Sequence, residues 1–175
     1  MSIQYMDNFQ FYGTSTTNML DGLPWSVITG SLVTDPDVNS TGTVFRVTAS
    51  SSNSNTTDTR LSLPSFTNKI GCGFRYYMNT LPTGATVRPS ILALRDLSNN
   101  RIYDVVIETN GAVSLYDTKS TMTLVETTGN PVMAPKSWFH YEIYMDLDAG
   151  TYEVRIEGTN VLSGTGLVNL ENVYS

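Results

Sequence analysis

Acidic side chains share one face of a predicted strand in the last third of the chain, an arrangement that could support glycoside hydrolysis. Trp138–Leu147 alternates apolar and polar residues, and its polar face, continued by one position, carries Glu142, Asp146 and Asp148. Retaining glycosidases need two carboxyl groups about 5 Å apart. Glu142 and Asp146 would stand roughly 13 Å apart on a strand, with Tyr144 between them. The pattern therefore favours a solvated strand face over a hydrolytic pair.

The single cysteine and the single histidine, Cys72 and His140, are the residues that could form a nucleophile and its base. Cys72 falls on the apolar face of a predicted strand, where a free cysteine usually packs as a small hydrophobic side chain. One cysteine excludes an intramolecular disulfide, and one cysteine with one histidine cannot complete a thiolate zinc site. The chain also lacks the Gly-x-Ser-x-Gly motif of serine hydrolases. We therefore predict no catalytic residues, no cofactor and no enzymatic activity.

Calcium is the one metal that the sequence leaves open. Asp146 and Asp148 stand two apart at a predicted turn, and carboxylates are ligands that calcium prefers. A calcium site needs six to eight oxygen ligands, however, and only these two carboxylates come together here. Asp-x-Asp followed by glycine is also ordinary turn chemistry. The turn is the favoured interpretation, and Asp146 and Asp148 remain weak candidates for metal ligands.

Two tyrosines, Tyr77 and Tyr144, are the candidate contacts for a ligand or a partner, because both fall on the outward faces of predicted strands. The outward face that carries Tyr77 also carries Gly71 and Gly73, bare positions that favour a bend or the close approach of another backbone. A tyrosine ring can stack on a sugar and donate a hydrogen bond. The same ring can pack against another protein subunit, which is the favoured interpretation.

Charge and composition narrow the classes of partner and location. The 175 residues carry a formal net charge of -6, and the ten basic residues are scattered. Nucleic-acid binding needs a clustered positive surface, so we predict no nucleic-acid partner. The N-terminus has neither the basic nor the apolar region of a secretory signal, and no apolar run reaches membrane-spanning length. We therefore predict synthesis in a cytoplasm and no membrane partner.

Period-two alternation and turn residues predict strands along the whole chain. Asn110-Gly111 predicts a type I′ hairpin turn between Arg101–Thr109 and Val113–Asp117. Asp148–Gly150 predicts a second hairpin, whose return strand Tyr152–Glu157 resumes the apolar face. The spacing gives roughly ten to thirteen strands, which is typical of an antiparallel two-sheet β-sandwich or jelly roll. With neither a linker nor a repeat in view, residues 1–175 are predicted to form a single all-β domain.

The second half of the chain resembles a concanavalin-A-like, laminin-G-type sandwich. The resemblance rests on the runs ILALRDLSNNRIYDVVIETNGAVSLYD and KSWFHYEIYMDLDAGTYEVRIEGTNV, and on the positions Trp138, Asp148, Gly150, Glu157 and Gly158. It implies the sandwich fold. It implies little about function, because this fold hosts lectins, hydrolases, adhesion modules and virion proteins.

Both ends of the chain are similar to segments of tailed-phage virion proteins that carry this sandwich. The opening is MSIQYMDNFQFYGT, and LENVYS at the end is similar to the closing strand of the fold. The resemblance implies a non-enzymatic virion protein, either a capsid decoration protein or one associated with the tail or fibre. Its partners would be capsid or tail proteins, or further copies of itself. The alternative is a lectin-like, carbohydrate-binding adhesion module.

Overall fold

A computed structural model describes residues 25–27, 31–34, 43–46, 59–61, 68–83, 88–96 and 100–168. All the regular structure in these ranges is β-strand, and the twelve strands that they contain agree with the predicted all-β class. None of the described residues belongs to a helix that could span a membrane. The resemblances at the two ends of the chain lie outside the described residues.

The chain divides into two compact units, Met1–Phe66 and Thr67–Ser175. The described residues of the first unit form two antiparallel ribbons of two strands each, in which β1 pairs with β4 and β2 with β3. These strands are β1 (Trp25–Val27), β2 (Ser31–Thr34), β3 (Thr43–Arg46) and β4 (Thr59–Leu61). Each unit is compact by itself, and the assignment of a single domain stays a prediction.

The first sheet of the second unit is an antiparallel meander in which neighbours in sequence are neighbours in space. Its strands are β6 (Ser90–Arg95), β7 (Arg101–Ile107), β8 (Val113–Asp117) and β9 (Thr123–Thr127). The hairpin between β7 and β8 lies where Asn110-Gly111 predicts it, but the turn type was wrong. Of the two predicted turn residues, only Gly111 has a positive φ, of 84°. The Asn110 side chain instead accepts a hydrogen bond from the Ala112 amide. The Glu108 amide bonds to the Ala112 carbonyl, so the loop has the three-residue form that ends in a left-handed glycine.

The second sheet has the order β12-β11-β10-β5, all antiparallel. Its strands are β5 (Lys69–Tyr77), β10 (Trp138–Asp146), β11 (Thr151–Ile156) and β12 (Thr159–Thr165). The predicted turn at Asp148–Gly150 joins β10 to β11, and Gly150 has a φ of 67°. The Asp146 carboxylate accepts hydrogen bonds from the Asp148 and Ala149 amides, which ends β10.

The core lies between these two sheets, which makes the second unit a two-sheet β-sandwich. Alternate residues of β10 point inward, as the sequence predicts, and Tyr141, Ile143 and Met145 are buried. They belong to one apolar cluster with Val105 of β7 and Val154 of β11. Burial of this shared cluster supplies the main driving force for packing the sheets together. The jelly-roll connectivity stays a prediction.

The outer faces of the two sheets differ in exposure. On the first sheet, Val106 of β7 and Ser114 of β8 point away from the core, and each is only 1% exposed. Asp104 on the same face is also buried, and it accepts hydrogen bonds from Ser90 and Arg101. Burial raises the pKa of the Asp104 carboxyl, although both donors oppose that shift. The outer face of the second sheet is instead open and polar.

Candidate functional site

The outer face of the second sheet, called the open face below, carries both tyrosines that the sequence nominates. It consists of the outward side chains of β5, β10 and β11. The register places Trp138 opposite Tyr77, and His140 opposite Arg75. Further along the same two strands, Tyr144 lies opposite Gly71. The open face therefore follows directly from the alternation of each strand combined with the β5–β10 register.

Within residues 68–83, 88–96 and 100–168, Tyr144 is the most exposed aromatic side chain, at 39%. Its cross-strand neighbours are Gly71 on β5 and Glu153 on β11. Gly71 has no side chain to cover the tyrosine ring from that side. The ring therefore borders a bare stretch of backbone, which leaves it accessible to a planar or extended ligand.

Tyr77 lies at the other end of the open face and forms an aromatic pair with Trp138. The ring centroids are 5.4 Å apart and the ring planes are inclined by 49°. The Arg75 guanidinium carbon lies 5.7 Å from the centroid of the Trp138 ring, within cation–π range. Tyr77 and Tyr144 do not meet, because Tyr77 pairs with Trp138, and Trp138 and Tyr144 are six positions apart on β10, or about 20 Å. The open face thus has two aromatic ends.

The sequence analysis missed Trp138 and Arg75 as members of this site. Trp138 was assigned only the role of opening a strand. Its outward direction follows from the same alternation that nominates Tyr144, so the pattern of β10 by itself could have found it. Its position beside Tyr77 depends on the β5–β10 register, which brings together residues 61 positions apart in sequence.

Between the aromatic ends, the open face is polar and balanced in charge. The His140 imidazole lies 3.7 Å from a Glu142 oxygen, and Arg155 donates to Glu153 at 2.7 Å. A β-carbon at Gly73 would lie 3.6 Å from the nearest atom, an ordinary contact, so the space above Gly73 is open. The open face carries three acidic and three basic side chains, although the whole chain has a net charge of -6. They are Glu142, Asp146 and Glu153, and Lys69, Arg75 and Arg155.

Asp146 and Asp148 lie where the sequence places them, but their contacts belong to the turn. Asp146 accepts two turn amides and forms an ion pair with the Lys69 ammonium at 2.9 Å. The Ala149 amide and Lys69 together lower the pKa of the Asp146 carboxyl. Asp148 accepts a hydrogen bond from the Asn68 amide at 2.7 Å. Among the described residues, no group of three or more acidic, histidine or cysteine side chains could hold a metal ion.

The fold separates the other residues that the sequence offers as catalytic candidates. Because β10 ends at Asp146, Asp148 lies in the turn and does not share the strand face with Glu142. Cys72 lies on the inner face of β5 and packs against the core, while His140 lies on the outer face of β10. Burial raises the pKa of the Cys72 thiol to about 11. Cys72 and His140 are therefore on opposite sides of one sheet and do not form a nucleophile–base pair.

Comparisons of the chain with protein-family models, with curated proteins and with solved structures give no match. The class of the protein is therefore defined by its own strand pairing. It is an all-β protein whose second unit is a two-sheet antiparallel sandwich.

Proposed function

We propose that this protein is a non-enzymatic structural or accessory protein of a virion, either a capsid decoration protein or one associated with the tail or fibre. It would act through protein–protein contacts at the open face. The observation that carries the proposal is the composition of that face. Tryptophan, tyrosine and arginine are the residue types that dominate binding energy at protein interfaces. The open face presents Trp138, Tyr77, Tyr144, Arg75 and Arg155 on one side of a sheet.

The charges of the open face also support a contact surface. Arg155 is bonded to Glu153, and Lys69 to Asp146, within the face itself. A charge-balanced surface can approach another acidic protein without the repulsion that a net charge of -6 would otherwise cause. Asp146 is a poor candidate for acid–base catalysis, because the Ala149 amide and Lys69 lower the pKa of its carboxyl.

Assignment to a virion rests on the sequence resemblance, because a sandwich fold by itself does not determine function. A particle displays many identical copies of its shell or tail proteins. Weak contacts therefore add up when an accessory protein binds with more than one copy. The protein would be made in the host cytoplasm and would end in the particle, with capsid or tail proteins as its partners.

The test is quantitative mass spectrometry of purified particles that carry the wild-type chain or a variant. Tyr144→Ala is expected to reduce incorporation at least about tenfold, because truncation of an aromatic residue that dominates an interface costs about 2 kcal/mol or more. Val168→Ala is the matched control, since Val168 is also exposed and lies outside the open face. Absence of the wild-type chain from particles would refute the proposed function. Equal incorporation of both variants would refute the role of the open face.

A carbohydrate-binding adhesion module is the second candidate, and the aromatic ends of the open face favour it. The tilted Tyr77–Trp138 pair and the exposed Tyr144 ring beside Gly71 offer planar surfaces of the kind on which sugars stack. Binding on a glycan array that is lost in Tyr144→Ala, with unchanged thermal stability, would support this candidate. Loss of the same signal in a chelator would assign a calcium ion to it, with Asp146 and Asp148 as the ligands to substitute first.

A further inference from the structure

Most basic side chains that the structure describes are already engaged by acidic ones. Five of them form ion pairs with carboxylates, namely Lys69, Arg88, Arg101, Lys119 and Arg155. Arg95 is also engaged, because its charge acts on the Asp104 carboxylate. Arg75 and Lys136 are exposed and, among the described residues, have no carboxylate within ion-pair distance.

These two cations lie at the same end of the second sheet, around its aromatic pair. Arg75 stands two residues before Tyr77 on β5, and Lys136 stands two residues before Trp138, where β10 begins. The Lys136 amide donates to the Met78 carbonyl at 2.8 Å, which fixes its backbone beside the end of β5. Because β5 and β10 are antiparallel, Arg75 and Lys136 flank the Tyr77–Trp138 pair from opposite sides.

The Arg75 guanidinium is held in place without using its hydrogen-bond donors. Its carbon lies 5.7 Å from the centroid of the Trp138 ring, and this cation–π contact leaves the N–H groups to other acceptors. The acidic side chains of this end are engaged elsewhere. Glu142 lies 3.7 Å from the His140 imidazole, and Glu157 accepts a hydrogen bond from the His140 amide at 2.7 Å. A guanidinium offers a planar fork of donors that matches a carboxylate, so this site is suited to an incoming acidic group.

We propose that the Arg75 guanidinium, stacked on Trp138, binds a carboxylate of the partner, with Lys136 as a second cationic contact. The partner segment is acidic and carries its Asp or Glu side chains on both sides of the aromatic contact. This step rests on the proposed function, which makes the partner a protein. The aromatic contact holds the guanidinium in one orientation before binding, so less conformational freedom is lost when the carboxylate arrives.

Titration of the full chain with a capped tetraglutamate peptide, followed by nitrogen-15 NMR at low ionic strength, tests this site. The peptide is expected to shift the Trp138 indole and Arg75 side-chain N–H signals saturably, and a capped tetraglutamine peptide is expected to leave them unchanged. Arg75→Gln should raise the dissociation constant at least about threefold, as for a single well-oriented ion pair. Lys69→Gln makes the same charge change at the other end of β5, and it should leave the affinity unchanged.

Matching melting temperatures would show that these variants fold. Arg75→Lys is the second variant, and it should also weaken binding, because it keeps the charge and loses the planar fork. Equal affinity of the wild type and Arg75→Gln would overturn the proposal, as would equal shifts with tetraglutamine. Tighter binding of tetragalacturonic acid, an acidic sugar with the same number of carboxylates, would overturn the choice of a protein segment.

The peptide titration needs no particles, so this site and the proposed function can fail separately. Tetraglutamate binding that depends on Arg75, in a chain that is absent from purified particles, would refute the virion role and leave the carboxylate site standing. Normal incorporation of the wild type and Arg75→Gln into particles, without peptide binding, would refute the carboxylate site alone.

Discussion

Gly164 of β12 is a position where one added methyl group should destabilise the sandwich, because it would clash with a neighbouring side chain. A β-carbon built at Gly164 would lie 2.6 Å from the Tyr152 hydroxyl oxygen, 2.9 Å from Cζ and 3.3 Å from Cε1. The Tyr152 ring is buried in the core and cannot swing aside freely. Its hydroxyl is bonded to Glu126, and burial together with this bond raises the pKa of Tyr152 to about 12.

The expected cost of Gly164→Ala is about 1–3 kcal/mol, which is the range for overpacking a well-packed core. The backbone adds nothing to this cost, because Gly164 does not have a positive φ. Gly73 provides a matched control on β5, since its nearest contact would be 3.6 Å away and its φ is also not positive. Gly73→Ala should therefore be neutral, or stabilising by up to about 1 kcal/mol.

The assay is equilibrium urea unfolding followed by tryptophan fluorescence, completed as a double-mutant cycle with Tyr152→Phe. Alone, Tyr152→Phe should cost about 1.5–3 kcal/mol, because Glu126 loses a hydrogen-bond donor. It also removes the nearest clashing atom, so Gly164→Ala should cost about 1 kcal/mol less in that background. Equal unfolding free energies for Gly164→Ala and Gly73→Ala would refute the steric argument. Strict additivity in the cycle would show that the Tyr152 hydroxyl is not the clashing group.

Three further predictions follow from the turns and from the core. Gly111→Ala should cost about 3 kcal/mol or more in urea unfolding, since it combines a φ of 84° with a β-carbon 2.6 Å from the Met133 carbonyl oxygen; a cost no greater than that of Gly73→Ala would contradict this. The lowered pKa of Asp146 gives stability that is complete above the pKa of the unfolded carboxyl and is lost as the pH falls through the folded pKa. Asp146→Asn should remove that part of the acid sensitivity in thermal melts across acidic pH, and a variant as acid-sensitive as the wild type would count against it. Because burial raises the pKa of Cys72 to about 11, a disulfide reagent at neutral pH should label the folded chain far more slowly than the urea-unfolded chain, and equal rates would show an accessible thiol.

The strands and their core faces could be predicted from the sequence because the alternation that encodes them is local. Tyr141, Ile143 and Met145 are buried as predicted, and the hairpin at Asp148–Gly150 lies where its turn residues stand. Turn type was predicted less well. At Asn110-Gly111, the Asn110 side chain accepts a hydrogen bond from the Ala112 amide, and the Asn110 backbone does not adopt a positive φ. The loop is therefore longer than the predicted two-residue turn.

The candidate sites were predicted in part, and both errors concern contacts that the alternation of a single strand does not encode. The outward direction of Tyr77 and Tyr144 follows from their own strands. The strand face drawn through Asp148 was too long, because the Asp146 carboxylate bonds to the next amides and ends β10 there. The pairing of Tyr77 with Trp138 could not be predicted from either strand by itself.

The amino-acid sequence by itself determined the all-β class, the positions of strands β5 to β11 and the core-facing sides of β5, β7, β10 and β11. These depend on residues two apart, whose side chains point the same way on any extended strand. Only the tertiary structure decided that β5 pairs with β10, that Cys72 and His140 lie on opposite faces of one sheet, and that Val106 is buried on an outer face. Such facts depend on register and packing between segments far apart in sequence, and no local periodicity encodes which strands become neighbours.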